Sequence, residues 1–221
     1  MLRHLLHAVA ILPVALASAC GDGGQASPPP RSPAAGTSGS AGGAPGEGAF
    51  PDEGRVPRFH SKRFDASLPL PDGKAWRIDD HSRPELIATH DGTRSKVTFL
   101  LFADPDLVSR QRCEQLARDR KLVPSAVMTT VEDAVVIAPE TFDTRIWVAI
   151  EPGNGGGPLV GHVFAFGGFL RKCLFFHYSS EVPSVDEESV LSSRLAVART
   201  RIFGGLSLDP FGQATRNGPT P

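Results

Sequence analysis

Residues 95–103 alternate in polarity: Val97, Phe99 and Leu101 share one face, and Lys96, Thr98, Leu100 and Phe102 share the other. A period of two is the signature of a β-strand. The second half is apolar on both faces, which predicts a central strand covered from both sides. Residues 145–151 repeat the pattern, with Ile146, Val148 and Ile150 on one face and Trp147 and Ala149 on the other. Residues 159–166 and 169–179 predict a hairpin turning on Gly167-Gly168, because paired glycines permit positive φ. That register sets His162 opposite Cys173 and leaves His177 well away. Shorter strands are predicted over 76–78, 85–90, 127–131 and 134–138. Leu68-Pro69-Leu70-Pro71 reads as extended, while Asp72-Gly73 and Asp91-Gly92 read as turns.

Two helices complete the pattern. Asp104-Pro105 pairs a good N-cap with a favoured first helical residue, predicting a helix from there to about residue 122, stopped by Pro124. Leu107, Cys113, Leu116 and Ala117 fall in one half of its wheel. Near the end, Ser184 and Glu187 have the spacing of a capping box. Leu191, Leu195, Ala198 and Ile202 then form one apolar face, and Gly204 supplies a stop. Strands joined by turns, with a helix after one strand and another at the end, predict an α+β domain: an antiparallel sheet packed against helices.

The N-terminus has a different logic. Arg3 precedes an almost wholly apolar run over residues 5–16, then Ala17-Ser18-Ala19-Cys20. Positive charge, short apolar core and small residues are the order of an export signal. The run is too short to span a bilayer, which needs about 20 residues. The small residues before Cys20 resemble a lipobox, the bacterial lipoprotein signal, in which the cysteine thiol takes the lipid. Ala17 stands where that signal usually carries Leu. Ala17-x-Ala19 also fits ordinary signal peptidase, so a secreted soluble protein is the alternative. The expected segments are a signal peptide over 1–19, a lipidated Cys20 with a disordered tether to 57, a globular domain over 58–209 and a loose tail over 210–221. An Asp directly after the cysteine favours inner-membrane retention in enteric bacteria. Asp22 lies one position later, so the outer membrane is favoured over the inner.

Composition supports the division. Residues 21–57 contain ten Gly and seven Pro, with Phe50 and Val56 the only large apolar side chains. Such a segment buries too little apolar surface to offset the entropy of ordering it. As a flexible coil it would span about 30–35 Å on average. Of 23 basic and 24 acidic residues, three and four lie in 1–57, which leaves the rest formally neutral at 20 of each. A nucleic-acid binder needs a basic excess to displace phosphate counterions, so no nucleic-acid partner is expected.

The layout over residues 64–206 resembles the PsbP/Mog1-like superfamily, including bacterial envelope members related to DcrB. The likeness rests on Leu70-Pro71-Asp72-Gly73 with Trp76 soon after, on the strand at 97–103 followed by a helix, and on the closing hairpin, helix and Gly204-Gly205. Residues 123–157 match nothing in it. The resemblance implies an α/β/α sandwich and an accessory or binding role. It carries no catalytic residues across.

The chemistry-bearing residues are few. With Cys20 acylated, Cys113 and Cys173 remain, and two cysteines in an exported domain point to one disulfide. The alternative is two buried thiols. His81, His90, His162 and His177 lack metal-ligand spacing, so no metal and no cofactor is expected. Gly153-Asn154-Gly155-Gly156-Gly157 lacks the Lys-Ser/Thr and the helix of a phosphate loop, and reads as a connection. No Gly-x-Ser-x-Gly elbow occurs. Phe169, beside the predicted turn, is the candidate exposed aromatic for a partner.

These features predict a non-enzymatic accessory lipoprotein, held to the membrane through Cys20 and contacting another envelope protein. A small-ligand binding or sensing domain is the first alternative, and an enzyme of unrecognised type the second. Intact mass of the membrane-extracted chain should show acyl groups on residue 20. Cys20→Ser should remove them and move the protein to the soluble fraction.

Overall fold

The computed structural model describes residues 56–153 and 157–208. Cys20, the tether before residue 56, residues 154–156 of the glycine run and the tail from 209 lie outside the described residues.

Seven strands form one antiparallel sheet. In chain order they are β3 (Trp76–Asp79), β4 (Leu86–His90), β5 (Ser95–Ala103), β6 (Thr129–Ile137), β7 (Asp143–Glu151), β8 (Leu159–Phe169) and β9 (Lys172–Val182). Their spatial order is β3-β4-β5-β9-β8-β7-β6. A second, three-stranded sheet joins β1 (Arg58–Ser61), β2 (Ala66–Pro69) and β10 (Ser207–Leu208). Its two outer strands were not predicted. β10 is only two residues long, and β1 has a single apolar residue, Phe59, so neither carries a periodic signal.

The central hairpin β8–β9 is apolar on both faces, and one helix covers each. Val163, Ala165, Leu174, Phe176 and Tyr178 pack with Leu191, Leu195, Ala198 and Ile202 in the larger core. Those last residues belong to α2 (Glu188–Val197) and the π-helical turn Ala198–Phe203 that continues it. On the opposite face Phe164, Phe166, Phe175 and Leu100 pack with Ala117 of α1 (Arg110–Asp119). Each fully buried Phe contributes roughly 1.5–3 kcal/mol relative to exposure. Two glycines of β8 mark the helix contacts. A Cβ on Gly161 would stand 2.8 Å from Leu195 Cδ1. One on Gly168 would stand 2.7 Å from the Ser109 carbonyl carbon, at the start of α1.

Gly168 also explains a corrected register. The hairpin turns not at Gly167-Gly168 but three residues later, at Leu170-Arg171, with Leu170 at φ 52° and Phe169 paired to Lys172. Both glycines stay within β8, where their small size admits α1 and, at Gly167, Thr144 Oγ1 at 2.7 Å from a hypothetical Cβ. The sequence signal was real, but it marked close approach rather than a turn. Cys173 consequently faces Gly168, and His162 faces Ser179.

The first helix also starts later than expected. Asp104 N–H donates to Arg171 O, and Val108 N–H donates to Leu170 O. Those bonds hold residues 104–108 against the hairpin tip, so the backbone there cannot enter a helix. Asp104 Oδ1 instead accepts from Asp106 N–H in a local turn. Ser109 becomes the N-cap, accepting from Arg112 N–H at 3.2 Å. Leu107 is therefore 75% exposed and outside the helix. The helix ends before Pro124, because Lys121 takes the left-handed conformation at φ 60°.

Three smaller expectations also change. Residues 129–137 form one strand with a bulge between Thr130 and Glu132, not two strands. Ser184 makes no side-chain cap, and a 3₁₀ turn (Val185–Glu187) precedes α2. Gly204 keeps helical angles at φ −63° rather than adopting the left-handed stop.

Cys113 and Cys173 are joined by a disulfide with Cα atoms 5.3 Å apart. It links the first turn of α1 to the hairpin tip and closes a loop with sequence separation 60. In the chain-entropy account such a loop stabilises by about 4 kcal/mol. Reduction, or Cys113→Ser, should lower the free energy of urea unfolding toward that extent without changing the β-sheet far-UV signature.

Candidate functional site

Three clusters stand out in the described domain. The first is a row of stacked rings on the α1 face, running across three strands. Trp147 (β7) stacks on Phe164 (β8) with centroids 5.0 Å apart, and Phe164 stacks on His177 (β9) at 4.3 Å. Arg145 and Arg118 lie over Trp147 at 5.9 and 5.7 Å. Arg145 donates to both oxygens of Asp133 at 2.9 and 2.7 Å and to Glu114 at 2.6 Å, tying β6, β7 and α1 together. Burial raises the Glu114 carboxyl, but the Arg118 and Arg145 hydrogen bonds outweigh that and hold it below its usual range.

At the end of this row His162 and His177 meet. Their ring nitrogens share a hydrogen bond, Nδ1 to Nε2, at 3.0 Å. The expected register kept them apart, and the three-residue displacement of the turn brings them together. Both are buried, at 3% and 8% exposure. His162 Nε2 stands 3.7 Å from Glu151 Oε2, beyond hydrogen-bond reach, and has no hydrogen-bond partner among the described residues. Burial pushes both imidazoles down, His177 to about 3, with further lowering there from His162 and Lys96. The pair is therefore neutral at pH 7 and donates one N–H inward. Among the described residues no group of three or more His, Cys, Asp or Glu is placed to hold a metal ion.

The second cluster is a buried polar chain beneath α2. His90 Nε2 lies 3.2 Å from Asp72 Oδ2, and His90 Nδ1 lies 2.9 Å from Thr93 Oγ1. Thr93 Oγ1 continues to Ser95 Oγ at 2.8 Å, which lies 2.8 Å from Tyr178 OH. Arg194, reaching in from α2, donates to Thr93 O at 2.9 Å and to Ser180 Oγ at 3.2 Å. Carboxylate, imidazole and hydroxyl in series resemble a nucleophile relay. However, Thr93 is 5% exposed and its own N–H donates to the same His90 nitrogen at 3.1 Å. That double contact caps a 3₁₀ turn (Asp91–Thr93) and satisfies buried polar groups. Its chemical consequence is to fix α2 on the sheet. Only the folded chain assembles it, since its seven residues are spread over more than 120 positions.

The third feature is a surface. Seven large apolar residues are exposed among those described, and four lie between 127 and 137: Val127 at 86%, Val131 at 61%, Val135 at 54% and Ile137 at 67%. β6 is an outer strand of the sheet and pairs with β7 alone. Val135 and Ile137 lie opposite Arg145 and Asp143, on the α1 face beyond the reach of α1. An outer strand with bare apolar side chains offers both unpaired backbone groups and apolar area. The sequence carried this signal as two short strands and missed their fusion into one sheet rim.

Of the residues singled out from sequence, Cys113 and Cys173 are brought together, and Cys20 lies outside the described residues. Phe169 is half-buried, its ring 5.6 Å from Phe142; Leu170, at 59% exposure, occupies the hairpin tip instead. Among the described residues no helix is long and apolar enough to cross a membrane.

These features define the class as an antiparallel α+β domain with a helix on each sheet face. No family model matches the chain, and no curated protein matches it. Among solved structures, LpqN, involved in cell envelope biogenesis of Mycobacterium tuberculosis, is similar at 12% identity and a TM-score of 0.41, over 69% of this chain and 90% of that one. A protein from Bacteroides thetaiotaomicron VPI-5482 is similar at 12% identity and a TM-score of 0.39. That match covers 71% of this chain and 49% of the other, so this chain spans about half its length. At these values the likeness concerns backbone course and carries no residue or activity across.

The buried histidines give the domain a defined acid sensitivity. Their folded pKa values lie below the unfolded value of about 6.5, so the unfolded chain takes up protons first. Stability is full above about pH 6.5 and falls as pH drops toward 3, by at most about 1.4 kcal/mol per pH unit for each proton. His177→Phe, which keeps a ring in the stack, should flatten that slope. Urea midpoints from pH 7 to pH 4 check it, and an unchanged slope would clear the pair of responsibility.

Proposed function

We propose that this chain is a non-enzymatic accessory protein of the bacterial cell envelope, anchored through Cys20 and acting by protein–protein contact. The export signal, the cysteine at its end and the disulfide all fit a compartment where thiols oxidise. A sheet with α1 on one face and α2 on the other is compatible with the PsbP/Mog1-like arrangement that the sequence resembles, whose members are mostly binding proteins. The anchor supplies the membrane partner, and the outer membrane is the favoured one.

The observation that carries the contact role is the bare edge of β6. Its occupant in this reading is an extended segment of another envelope protein, added antiparallel as an eighth strand. Backbone hydrogen bonds would give affinity, and Val131, Val135 and Ile137 would select alternating apolar side chains. A second copy fits less well. Pairing of β6 with itself about its midpoint sets Asp133 against its own counterpart, and like charges directly opposite destabilise a sheet.

The test uses the full anchored chain, cross-linked in intact envelopes. Val135→Lys and Ile137→Lys lie on the surface and should change unfolding free energy by no more than about 0.5 kcal/mol. They should abolish recovery of the partner, whereas Leu107→Lys should not. Binding should also slow amide exchange along residues 129–137. Partner recovery unaffected by either lysine, or a dimer of this chain that the same variants dissociate, would defeat the reading.

A further inference from the structure

An apolar groove opens where the chain enters the domain. Pro57, Phe59, Leu70 and Ile78 line it with the stems of Arg58 and Lys74, and it encloses about 280 Å³. Leu70 is buried, and Phe59 and Ile78 are half-buried. The groove thus has a firm apolar floor between β1 and β3.

Two cations stand at its rim with no carboxylate partner among the described residues. The Arg58 guanidinium donates to Ser67 Oγ and O, to Gly205 O and to Ser207 Oγ, all neutral acceptors. Lys74 is exposed and makes no ion pair among the described residues. The carboxylate nearest in sequence, Asp72, is engaged with His90 at 3.2 Å. Elsewhere in the domain most arginines of this kind meet an acid, as Arg145 and Arg199 do. Positive charge left uncompensated beside apolar surface selects a ligand that is apolar at one end and anionic at the other.

We infer that this groove binds the acyl chain of a single-chain anionic amphiphile drawn from the membrane, such as a fatty acid or lysophospholipid. The chain lies on Phe59, Leu70 and Ile78, and the head group meets Lys74 and Arg58. A volume just under the roughly 300–1,000 Å³ typical of ligand sites admits one chain and excludes a two-chain lipid. The membrane source rests on the anchored reading above; binding in solution does not.

Dodecanoate is the probe, titrated by calorimetry into the full-length chain carrying Cys20→Ser, so that anchoring plays no part. Saturable one-to-one binding is expected below the micellar concentration. Lys74→Glu should weaken it about tenfold with no change in unfolding midpoint, and the uncharged dodecyl maltoside should bind at least about tenfold more weakly than dodecanoate. Absence of saturable binding would overturn the inference. So would equal affinity for the two amphiphiles combined with indifference to Lys74→Glu. A photo-cross-linker at position 74 that captures a second copy, or the chain's own N-terminal segment, in place of added dodecanoate would overturn it as well. Loss of membrane anchoring without loss of dodecanoate binding would defeat the functional reading while leaving this site intact.

Discussion

The hairpin β8–β9 is apolar on both of its faces, and neither face can be left to water. Phe164, Phe166 and Phe175 point one way while Val163, Phe176 and Tyr178 point the other. An antiparallel sheet commonly solvates one face, but these central strands cannot. The chain supplies one helix for each side, and β8 carries a glycine at each contact so that the helices can approach. The disulfide then fixes α1 at the hairpin tip, where Cys173 faces Gly168. The seven-stranded sheet is organised around that doubly covered pair.

Helices placed over the centre leave the margins bare. α1 is ten residues long and lies over β7 to β9. β6 lies beyond it, and its Val131, Val135 and Ile137 stay exposed. The ion pairs joining Arg145 to Glu114 and Asp133 bridge from the covered to the uncovered zone, holding the outer strand in place without shielding it. At the opposite end the small sheet meets β3 and leaves the groove beside Phe59 and Ile78. The two proposed contacts, with a partner strand and with an amphiphile, thus fall at separate margins of the domain. Beneath α2 the interior polar groups are occupied: Arg194, Thr93, Ser95 and Tyr178 form one hydrogen-bonded chain, and burial raises the Tyr178 phenol and keeps it protonated.

Much of this was legible in the residues. Alternation gave β3, β4, β5, β7 and the two central strands within a few positions, because side chains of a strand must alternate between faces. The apolar face of the last helix followed from Leu191, Leu195, Ala198 and Ile202, all of which are buried. The pairing of Cys113 with Cys173 followed from there being only two cysteines after Cys20 and from the exported, oxidising compartment that the N-terminal pattern led one to expect. What failed was local punctuation. Asp104-Pro105 and Gly167-Gly168 are strong signals in isolation, and each was overridden by a contact made elsewhere in the chain.

By itself, then, the sequence determined the α+β class and most strands, since composition and periodicity are properties of short windows. Tertiary structure decided the hairpin register, the start of α1, the meeting of His162 with His177, and which margins remain uncovered. The physical reason is that those features depend on which backbone donors and which apolar faces are already taken by distant segments. Arg171 O takes the Asp104 N–H, and the first turn of α1 lies against Gly168. No window of the sequence contains both members of either pair.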